Sequence, residues 1–566
     1  MKVHQLQHIA DMPEILFAHG VRDVVISPGS RNAPLIKAFY NRFGNGCKSL
    51  IDERSAAYFA LGQSLATKKP TVLICTSGTA VLNYAPAIAE AFYQCVPLLV
   101  ITADRPVEWI GQLDNQAIRQ NNIFGNNIKA SYSLPVATSH VDELWFVHRI
   151  INEAFHKTVS ESPGPVHINV PLREPLYETL PEVSSGLRII KIEKTTNSLS
   201  ENSFFSKDWE KAKSILIVCG QLLPDKKLKE TIQILSLDLR VVIVAEPISN
   251  VHFTATVSNP EVTFNSKINY PELAIPELVI YIGGQVVSKK IKQFLRGLQN
   301  SVFYRISTDE QIIDTFQNID AVIHAEHQSV LKGLNVKSEG EKSTFRIFWE
   351  NESRKGERLA EKYIDKIAYS DLLVFKEISV LLPNDAIIFA GNSSVVRYLF
   401  YFDQKSRKYY SNRGVSGIDG CLSAASGLAS KTDEPVYVIV GDLAFGYDSN
   451  ALWNRELPEN LKIILINNEG GGIFHLLKGP SETDDFIPFV NAHHPIDYKK
   501  LTEAFGVKYN LCSSENELQT GIKNMTLQNE VAEVLEIRTP NNGKPQITKD
   551  FFKFLNNNYD TELGND

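Results

Sequence analysis

The sequence predicts an α/β protein made of three doubly wound parallel-sheet domains. Three observations point there. Apolar, strand-like runs of four to six residues recur along the 566-residue chain and alternate with helical stretches. Most of those runs are followed at once by small or charged residues, as at the carboxyl edge of an open parallel sheet. Two polar stretches without periodicity, at 180–205 and 333–343, break the alternation into three regions.

The elements follow in order. In the first region Asp23-Val-Val-Ile26 leads into Ser-Pro-Gly-Ser-Arg31, and a short strand ending at Ile51 meets an Ala-rich helix that starts near Asp52 and stops at Lys68-Lys69-Pro70. Thr71-Val-Leu-Ile-Cys75 leads into Thr-Ser-Gly-Thr79, Pro97-Leu-Leu-Val-Ile101 into Thr-Ala-Asp-Arg-Pro106, and Pro165-Val-His-Ile-Asn-Val170 is a late strand. The second region offers strands near Ser214–Cys219, Arg240–Val244 and Leu278–Ile282. The third offers Ala386–Ala390, Val436–Val440 and Ile463–Ile466. The expected domains are 1–182, 205–335 and 345–566, in keeping with a length prior of about 150 residues per domain. The tail from Asn556 to Asp566 is polar and expected to fray.

Composition excludes several classes. The chain is 43% hydrophobic and 22% charged, with a net charge of −7 and no basic tract, so nucleic acid is not an expected partner. The longest apolar runs are too short to span a bilayer and the first residues carry no apolar signal core, so a cytoplasmic protein is expected. The six cysteines form no C-x-x-C pair and read as reduced thiols. His324-Ala-Glu-His327 and His493-His494 lack metal-site spacing and read as surface histidines.

The chemistry is concentrated at strand ends. Gly441-Asp442-Leu443 follows one apolar run and Asn467-Asn468 another, with Asn468 26 positions after Asp442. A carboxylate and an amide oxygen at adjacent strand ends are hard ligands suited to Mg²⁺ on a phosphate. The interval leaves room for one helix, and the whole matches the thiamin diphosphate (ThDP) binding motif. Three glycines, Gly470-Gly471-Gly472, follow and suit a diphosphate near a helix start. Glu53 falls at a strand-to-helix corner. A first-turn carboxylate needs no explanation beyond the helix dipole, but a carboxyl paired with the ThDP aminopyrimidine must sit in an apolar pocket that raises its pKa. The downstream metal motif favours the second reading. Arg31, Arg105, Lys289, Lys290, Arg397 and Arg413 lie at or just beyond probable strand ends. Singly each is a surface charge. Together they suggest substrates with several carboxylates, each bidentate Arg–carboxylate bond being worth about 1.5–3 kcal/mol.

These residues carry a resemblance over nearly the whole chain. Ser27-Pro-Gly-Ser-Arg31, Asp52-Glu-Arg-Ser-Ala56, Thr76-Ser-Gly-Thr-Ala80, Thr102-Ala-Asp-Arg-Pro106, Asp114-Asn-Gln-Ala-Ile-Arg-Gln120, Ser411–Gly420 and the metal motif resemble the 2-succinyl-5-enolpyruvyl-6-hydroxy-3-cyclohexene-1-carboxylate synthases of menaquinone biosynthesis. These are ThDP enzymes of the decarboxylase superfamily. The middle region is similar only loosely, mainly at Ser288-Lys-Lys290.

The resemblance implies pyrimidine-binding, central and diphosphate-binding domains, and a homotetramer, a dimer of dimers, with active sites between the first domain of one subunit and the third of another. It implies that Glu53 activates the pyrimidine, that Asp442, Asn468 and the Gly470 carbonyl hold Mg²⁺ or Mn²⁺, and that Ile418 supports the bent cofactor. Ser77, Gly78, Thr79, Ser416, Gly417, Leu443, Gly471, Ile473 and Phe474 complete the implied cofactor site. Ser30, Arg31, Arg105, Gln116, Lys289, Ser393, Arg397, Arg413 and Phe474 match substrate positions. Two departures stand out: Lys290 where Arg is expected, which loses the planar fork, and Glu469 where Asn is common.

The implied activity is a transferase reaction: decarboxylation of 2-oxoglutarate and conjugate addition of the resulting succinyl-semialdehyde carbanion to isochorismate. Other ThDP enzymes, such as acetohydroxyacid synthases or simple 2-oxoacid decarboxylases, handle less charged acceptors and should need fewer basic residues. A non-catalytic ThDP-binding protein need not keep Glu53.

Overall fold

The computed structural model describes residues 3–193, 203–264, 270–309, 311–403, 405–476, 486–527, 531–539 and 544–558. It contains three sheets. The first comprises β1 (Val24–Ile26), β2 (Cys47–Ser49), β3 (Thr71–Cys75), β4 (Leu98–Asp104), β5 (Ala130–Ser133) and β6 (Val166–Pro171), in the order β2-β1-β3-β4-β6-β5. The second comprises β7 (Ile215–Cys219), β8 (Val241–Ala245), β9 (Leu278–Ile282), β10 (Val302–Ser307) and β11 (Ala321–His324), in the order β11-β10-β9-β7-β8. The third comprises β12 (Ile387–Ala390), β13 (Lys408–Tyr410), β14 (Val436–Gly441), β15 (Leu461–Asn467), β16 (Lys508–Cys512) and β17 (Glu533–Arg538), in the order β13-β12-β14-β15-β17-β16. The described ladders are parallel, as the alternating pattern predicts.

Parallel strands covered by helices on both faces must be apolar on both sides. β3, β4, β7, β8 and β9 are accordingly buried at every residue. The short strand expected to end at Ile51 ends at Ser49 instead, because Leu50 and Ile51 lead into a helix that Asp52 caps by accepting from the Ser55 N–H at 3.1 Å. That helix, Glu53–Thr67, stops at Lys68, whose φ of +55° is left-handed.

The chain forms two compact units. One holds residues 1–195, 412–436 and 444–461, and the other 196–411, 437–443 and 462–566. In the first, helix Glu53–Thr67 packs closely on helix Cys421–Ala429. Gly62 lies against the Ala424 carbonyl and Gly427 against that of Phe59, so that a β-carbon at either place would collide with backbone.

The polar stretch 180–205, expected to be a linker, begins as a packed strap. Leu180, Leu187 and Ile189 cover the first sheet's core, and the buried Asp11 carboxylate accepts from both the N–H and the hydroxyl of Ser184. Residues 194–202 lie outside the described residues, as do 559–566 of the expected frayed tail; Asn556–Asn558 end a helix that starts at Lys544. The six cysteines are free thiols. Four are buried, Cys47 is half-buried and Cys95 is exposed.

Candidate active site

In the first unit the site residues gather at the carboxyl ends of β1 to β4. Glu53 occupies the first turn of its helix, half-buried near the fully buried Cys75 and Tyr84. Burial, and then the neighbouring Asp52, raise its pKa above the ordinary glutamate value. This is the environment the sequence reading required. Beyond β3, Gly78 has φ +85°, and its N–H donates to Oε1 of buried Gln120 at 2.9 Å. The Gln120 amide in turn donates to the Ala103 carbonyl and to Asn169, which fixes the Gly78 turn to β4 and β6. A β-carbon at Gly78 would lie 3.2 Å from the backbone of Gln116, itself at φ +52°.

The arginines of this unit are not ordinary surface charges. Arg31 is buried and donates to the Leu172 carbonyl at 3.0 Å. Arg105 donates twice to the Asn115 carbonyl and pairs with Asp114 at 3.0 Å. Both guanidinium groups approach one carboxylate, that of Glu174, at 2.9 Å from Arg31 and 3.6 Å from Arg105. Ser30 lies 3.4 Å from the Tyr177 hydroxyl. The segment holding Arg413, Ser416, Gly417 and Ile418 is docked through its backbone. Buried Glu90 accepts from the N–H groups of Gly414 and Val415, and Tyr58 donates to Asp419.

The second unit holds the metal motif. Asp442 is buried at the end of β14. Its two carboxylate oxygens accept from the N–H groups of Leu443 and Gly470, at 2.8 and 2.7 Å, and its carbonyl accepts from the Tyr498 hydroxyl. Asn468 donates its amide N–H to Asp371 at 2.8 Å, which turns the amide oxygen the other way. Gly470 takes φ +142°, and β-carbons at Gly470, Gly471 and Gly472 would meet Asn491, Phe474 and Asn468 at 2.5, 2.7 and 2.7 Å. Ile473 and Phe474 lie in the 3-10 turn Gly472–Leu476. Ser393, at φ +69°, precedes helix Ser394–Phe400, and its carbonyl accepts from Arg397.

Lys289 is exposed and opens helix Lys289–Arg296. That helix start is held by buried Glu246, which accepts from the N–H groups of Val287 and Ser288. Lys290 is mostly buried, bonded to the Glu261 carbonyl and placed 4.9 Å from the centre of the Phe552 ring; burial lowers its pKa. Glu469 is exposed at φ +62°.

The structure therefore links Arg31 with Arg105, Gly78 with Gln116, and Asp442 with Gly470. The surface-histidine expectation is corrected at two places. His327 is half-buried, its Nε2 3.4 Å from the Gly283 N–H, and burial lowers its pKa. His494 is not a surface histidine: it is half-buried, with Nε2 3.4 Å from an Asp442 oxygen and 3.1 Å from the Tyr498 hydroxyl. Sequence reading also missed Glu174, Gln120, Asp371, Tyr498 and Glu90. Only Gln120 lies in a segment singled out beforehand; the others are ordinary residues brought in from distant parts of the chain.

The groups fit a divalent cation on a diphosphate. One carboxylate, one oriented amide oxygen and one carbonyl are hard donors, too few for a metal cage but suited to an ion that keeps phosphate ligands. The three glycines let this segment pack against Asn491, Phe474 and Asn468, where β-carbons would collide. In the first unit the Thr76 and Ser77 hydroxyls are buried without a partner among the described residues.

The fold and these sites define a ThDP-dependent enzyme. Residues 9–126 match the family model "Thiamine pyrophosphate enzyme, N-terminal TPP binding domain", 189–390 "Middle domain of thiamine pyrophosphate", and 390–537 "Thiamine pyrophosphate enzyme, C-terminal TPP binding domain". Within that class, the chain is 42% identical over 513 residues to the 2-succinyl-5-enolpyruvyl-6-hydroxy-3-cyclohexene-1-carboxylate synthase of Desulfotalea psychrophila, covering 89% of this chain and 93% of that protein. It is 37% identical over 561 residues to the synthase of the same name from Cytophaga hutchinsonii, covering 98% of this chain and all of that protein. The chain belongs to this synthase family.

Proposed function

We propose that the chain decarboxylates 2-oxoglutarate and joins the remaining four-carbon unit to isochorismate, releasing carbon dioxide and giving 2-succinyl-5-enolpyruvyl-6-hydroxy-3-cyclohexene-1-carboxylate. The observation that carries this reading within the ThDP class is the convergence of Arg31 and Arg105 on one carboxylate beside the Gly78 turn. A site for small uncharged acceptors has no use for two guanidinium groups aimed at one point.

ThDP, when bound, supplies the electron sink that a 2-oxoacid needs in order to lose carbon dioxide. The chain's residues do the rest. Glu53, with its raised pKa, holds a proton at the ring nitrogen of the pyrimidine. Asp442, Asn468 and the Gly470 carbonyl hold Mg²⁺ or Mn²⁺, with Leu443, Gly471, Ile473 and Phe474 along the cofactor cradle. Ser77, Gly78 and Thr79 would line the pyrimidine side, Ser416 and Gly417 would contact the cofactor, and Ile418 would support it. Arg31, Arg105, Arg397, Arg413 and Lys289 bind carboxylates and offset the repulsion between two acidic substrates. Ser30, Ser393 and Gln116 donate hydrogen bonds to them. Excluding water from this site protects the reactive carbon from protonation.

We further propose domain limits of 1–182, 205–335 and 345–566, a homo-oligomer and a cytoplasmic location. No helix among the described residues is long and apolar enough to cross a membrane.

The test is carbon dioxide release from 2-oxoglutarate with ThDP and Mg²⁺, with and without isochorismate. Turnover that requires isochorismate and yields the coupled product supports the reading. Equal turnover without isochorismate overturns it in favour of a simple decarboxylase, and tight ThDP binding with no turnover in favour of a non-catalytic binder.

A further inference from the structure

Glu174 is the only carboxylate that the described structure places within 4 Å of both Arg31 and Arg105. One oxygen, Oε1, makes both contacts. The two cations are nearly buried, at 6% and 18% side-chain exposure, while Glu174 is 67% exposed. It follows β6 in the segment Arg173-Glu-Pro-Leu-Tyr177, whose last residue reaches Ser30 and whose first pairs with Glu108.

The arginines do not depend on Glu174 for their position. The Leu172 carbonyl holds Arg31, and the Asn115 carbonyl and Asp114 hold Arg105. A carboxylate that bridges two independently anchored guanidinium groups, and that is itself free to swing into water, has the chemistry of a bound ligand rather than of a brace.

We propose that Glu174 is the resident counter-carboxylate of the Arg31–Arg105 pair, displaced by a carboxylate of the acidic substrate, and thereby a specificity-determining residue. This rests on the reading of Arg31 and Arg105 as substrate anchors. An incoming carboxylate replaces Glu174 charge for charge, so the buried cations are never left bare. A neutral ligand that displaced Glu174 would take from Arg31 its ion-pair partner and leave Arg105 with Asp114 alone, at the cost attached to an unpaired buried charge. The arrangement admits anionic substrates and rejects uncharged ones of similar shape. It also makes every anionic ligand compete with Glu174, so the side chain weakens substrate binding while sharpening selectivity.

The experiment uses the full chain with ThDP and Mg²⁺ and compares wild type, Glu174→Gln and Arg105→Lys. Succinate, an unreactive dicarboxylate, is titrated calorimetrically, and KM is measured for each substrate. The expected result is a two- to tenfold tighter succinate Kd and a lower KM for one acid in Glu174→Gln, the range given by one or two partly exposed ion pairs of roughly 0.2–1 kcal/mol each. Arg105→Lys should weaken both. If Arg105→Lys weakens binding while Glu174→Gln leaves it unchanged or weakens it too, Glu174 is not a competitor and the proposal fails, although the anchors stand. If neither variant moves Kd or KM, the reading of the arginines fails as well. The exposure of Glu174 keeps folding out of the comparison, and an unchanged Tm checks it.

Discussion

The first and third sheets have the same strand order. Taken as 1 to 6 in chain order within each sheet, both run 2-1-3-4-6-5. Their equivalent strand ends nonetheless carry different chemistry. After the third strand the first sheet places Thr76-Ser77-Gly78 and the third sheet Asp442-Leu443; after the fourth the first places Arg105 and the third Asn468. After the first strand come Arg31 in one sheet and Ser393 and Arg397 in the other. One strand order thus carries two different sets of groups, hard oxygen donors in one sheet and an acid with paired cations in the other. The topology fixes where a functional residue stands. The residue type alone decides what it does.

The largest expected effect falls on the acid of the first sheet. Glu53→Gln keeps size and hydrogen bonding but cannot give up a proton, and should lower kcat by roughly 10²–10⁴-fold, the span of general acid–base catalysis. ThDP affinity, read by calorimetry, should change far less than kcat. A kcat within tenfold of wild type would remove Glu53 from the chemistry and leave the first sheet a binding surface only.

Next comes the third sheet's support for Asn468, the proposed metal donor. Asp371 fixes the Asn468 amide and itself accepts from Thr539. Asp371→Ala should weaken Mg²⁺ affinity, measured by metal titration in the presence of ThDP, by about 10–100-fold. The equivalent measurement on a first-sheet variant such as Arg105→Lys should show no metal effect. If the two variants shift metal affinity alike, the division of labour between the sheets is wrong.

A smaller effect probes the turn after the third strand, where the sheets differ most. Gly78 has φ +85°, and a β-carbon there would lie 3.2 Å from the Gln116 backbone. Gly78→Ala should cost about 1–2 kcal/mol in conformation alone, seen as a lower Tm. It should also weaken ThDP binding, since the added β-carbon presses on the Gln116 backbone and shifts the turn. Loss of stability with unchanged cofactor affinity would separate this turn from the site.

How much of this was legible in the sequence follows from burial. Strands built almost entirely of apolar residues, such as β3, β7 and β14, were read directly because burial on both faces leaves no other pattern. β17 was not singled out because Glu533 and Glu536 interrupt it. Both are buried, and partners on β15, β16 and β17 itself meet them: Lys462 approaches Glu533 at 3.6 Å, while Asn467, Tyr509 and Arg538 donate to Glu536. A single strand's sequence cannot show a charge neutralised by its neighbour. β10 hid for a related reason: its buried Arg305 is paired with Asp309, just past the strand's end. The site divides along the same line. Gly78, Asp442, Asn468 and Gly470 were legible because strand ends and glycine turns leave a local signature. Glu174, Asp371 and Tyr498 reach the site from 143, 97 and 56 positions away from their partners Arg31, Asn468 and Asp442, so nothing local announces them.

The central sheet supplies the control for the comparison, because its buried acid has a raised pKa and no ligand chemistry. Glu246 is buried, and desolvation pushes its carboxyl from 4.5 to about 7, against the lowering effect of the Val287 and Ser288 N–H groups. A carboxyl whose folded-state pKa lies above its unfolded value holds its proton more tightly in the native protein. Its contribution to stability is therefore full below 4.5 and is lost as pH rises to about 7. Glu246→Gln removes this titration, and the variant's urea midpoint should fall less steeply than wild type between pH 5 and 7, by at most about 1.4 kcal/mol per pH unit. Parallel profiles would mean that Glu246 is already ionised in the native protein. Because Glu246 holds the helix start that carries Lys289, kcat in this variant should fall far less than in Glu53→Gln, any loss appearing in KM. Both acids are raised by burial, but Glu246 is closed off beneath a helix start while Glu53 keeps an open face at a sheet edge. Access to a ligand, rather than the raised pKa, is what distinguishes a catalytic carboxyl from a structural one.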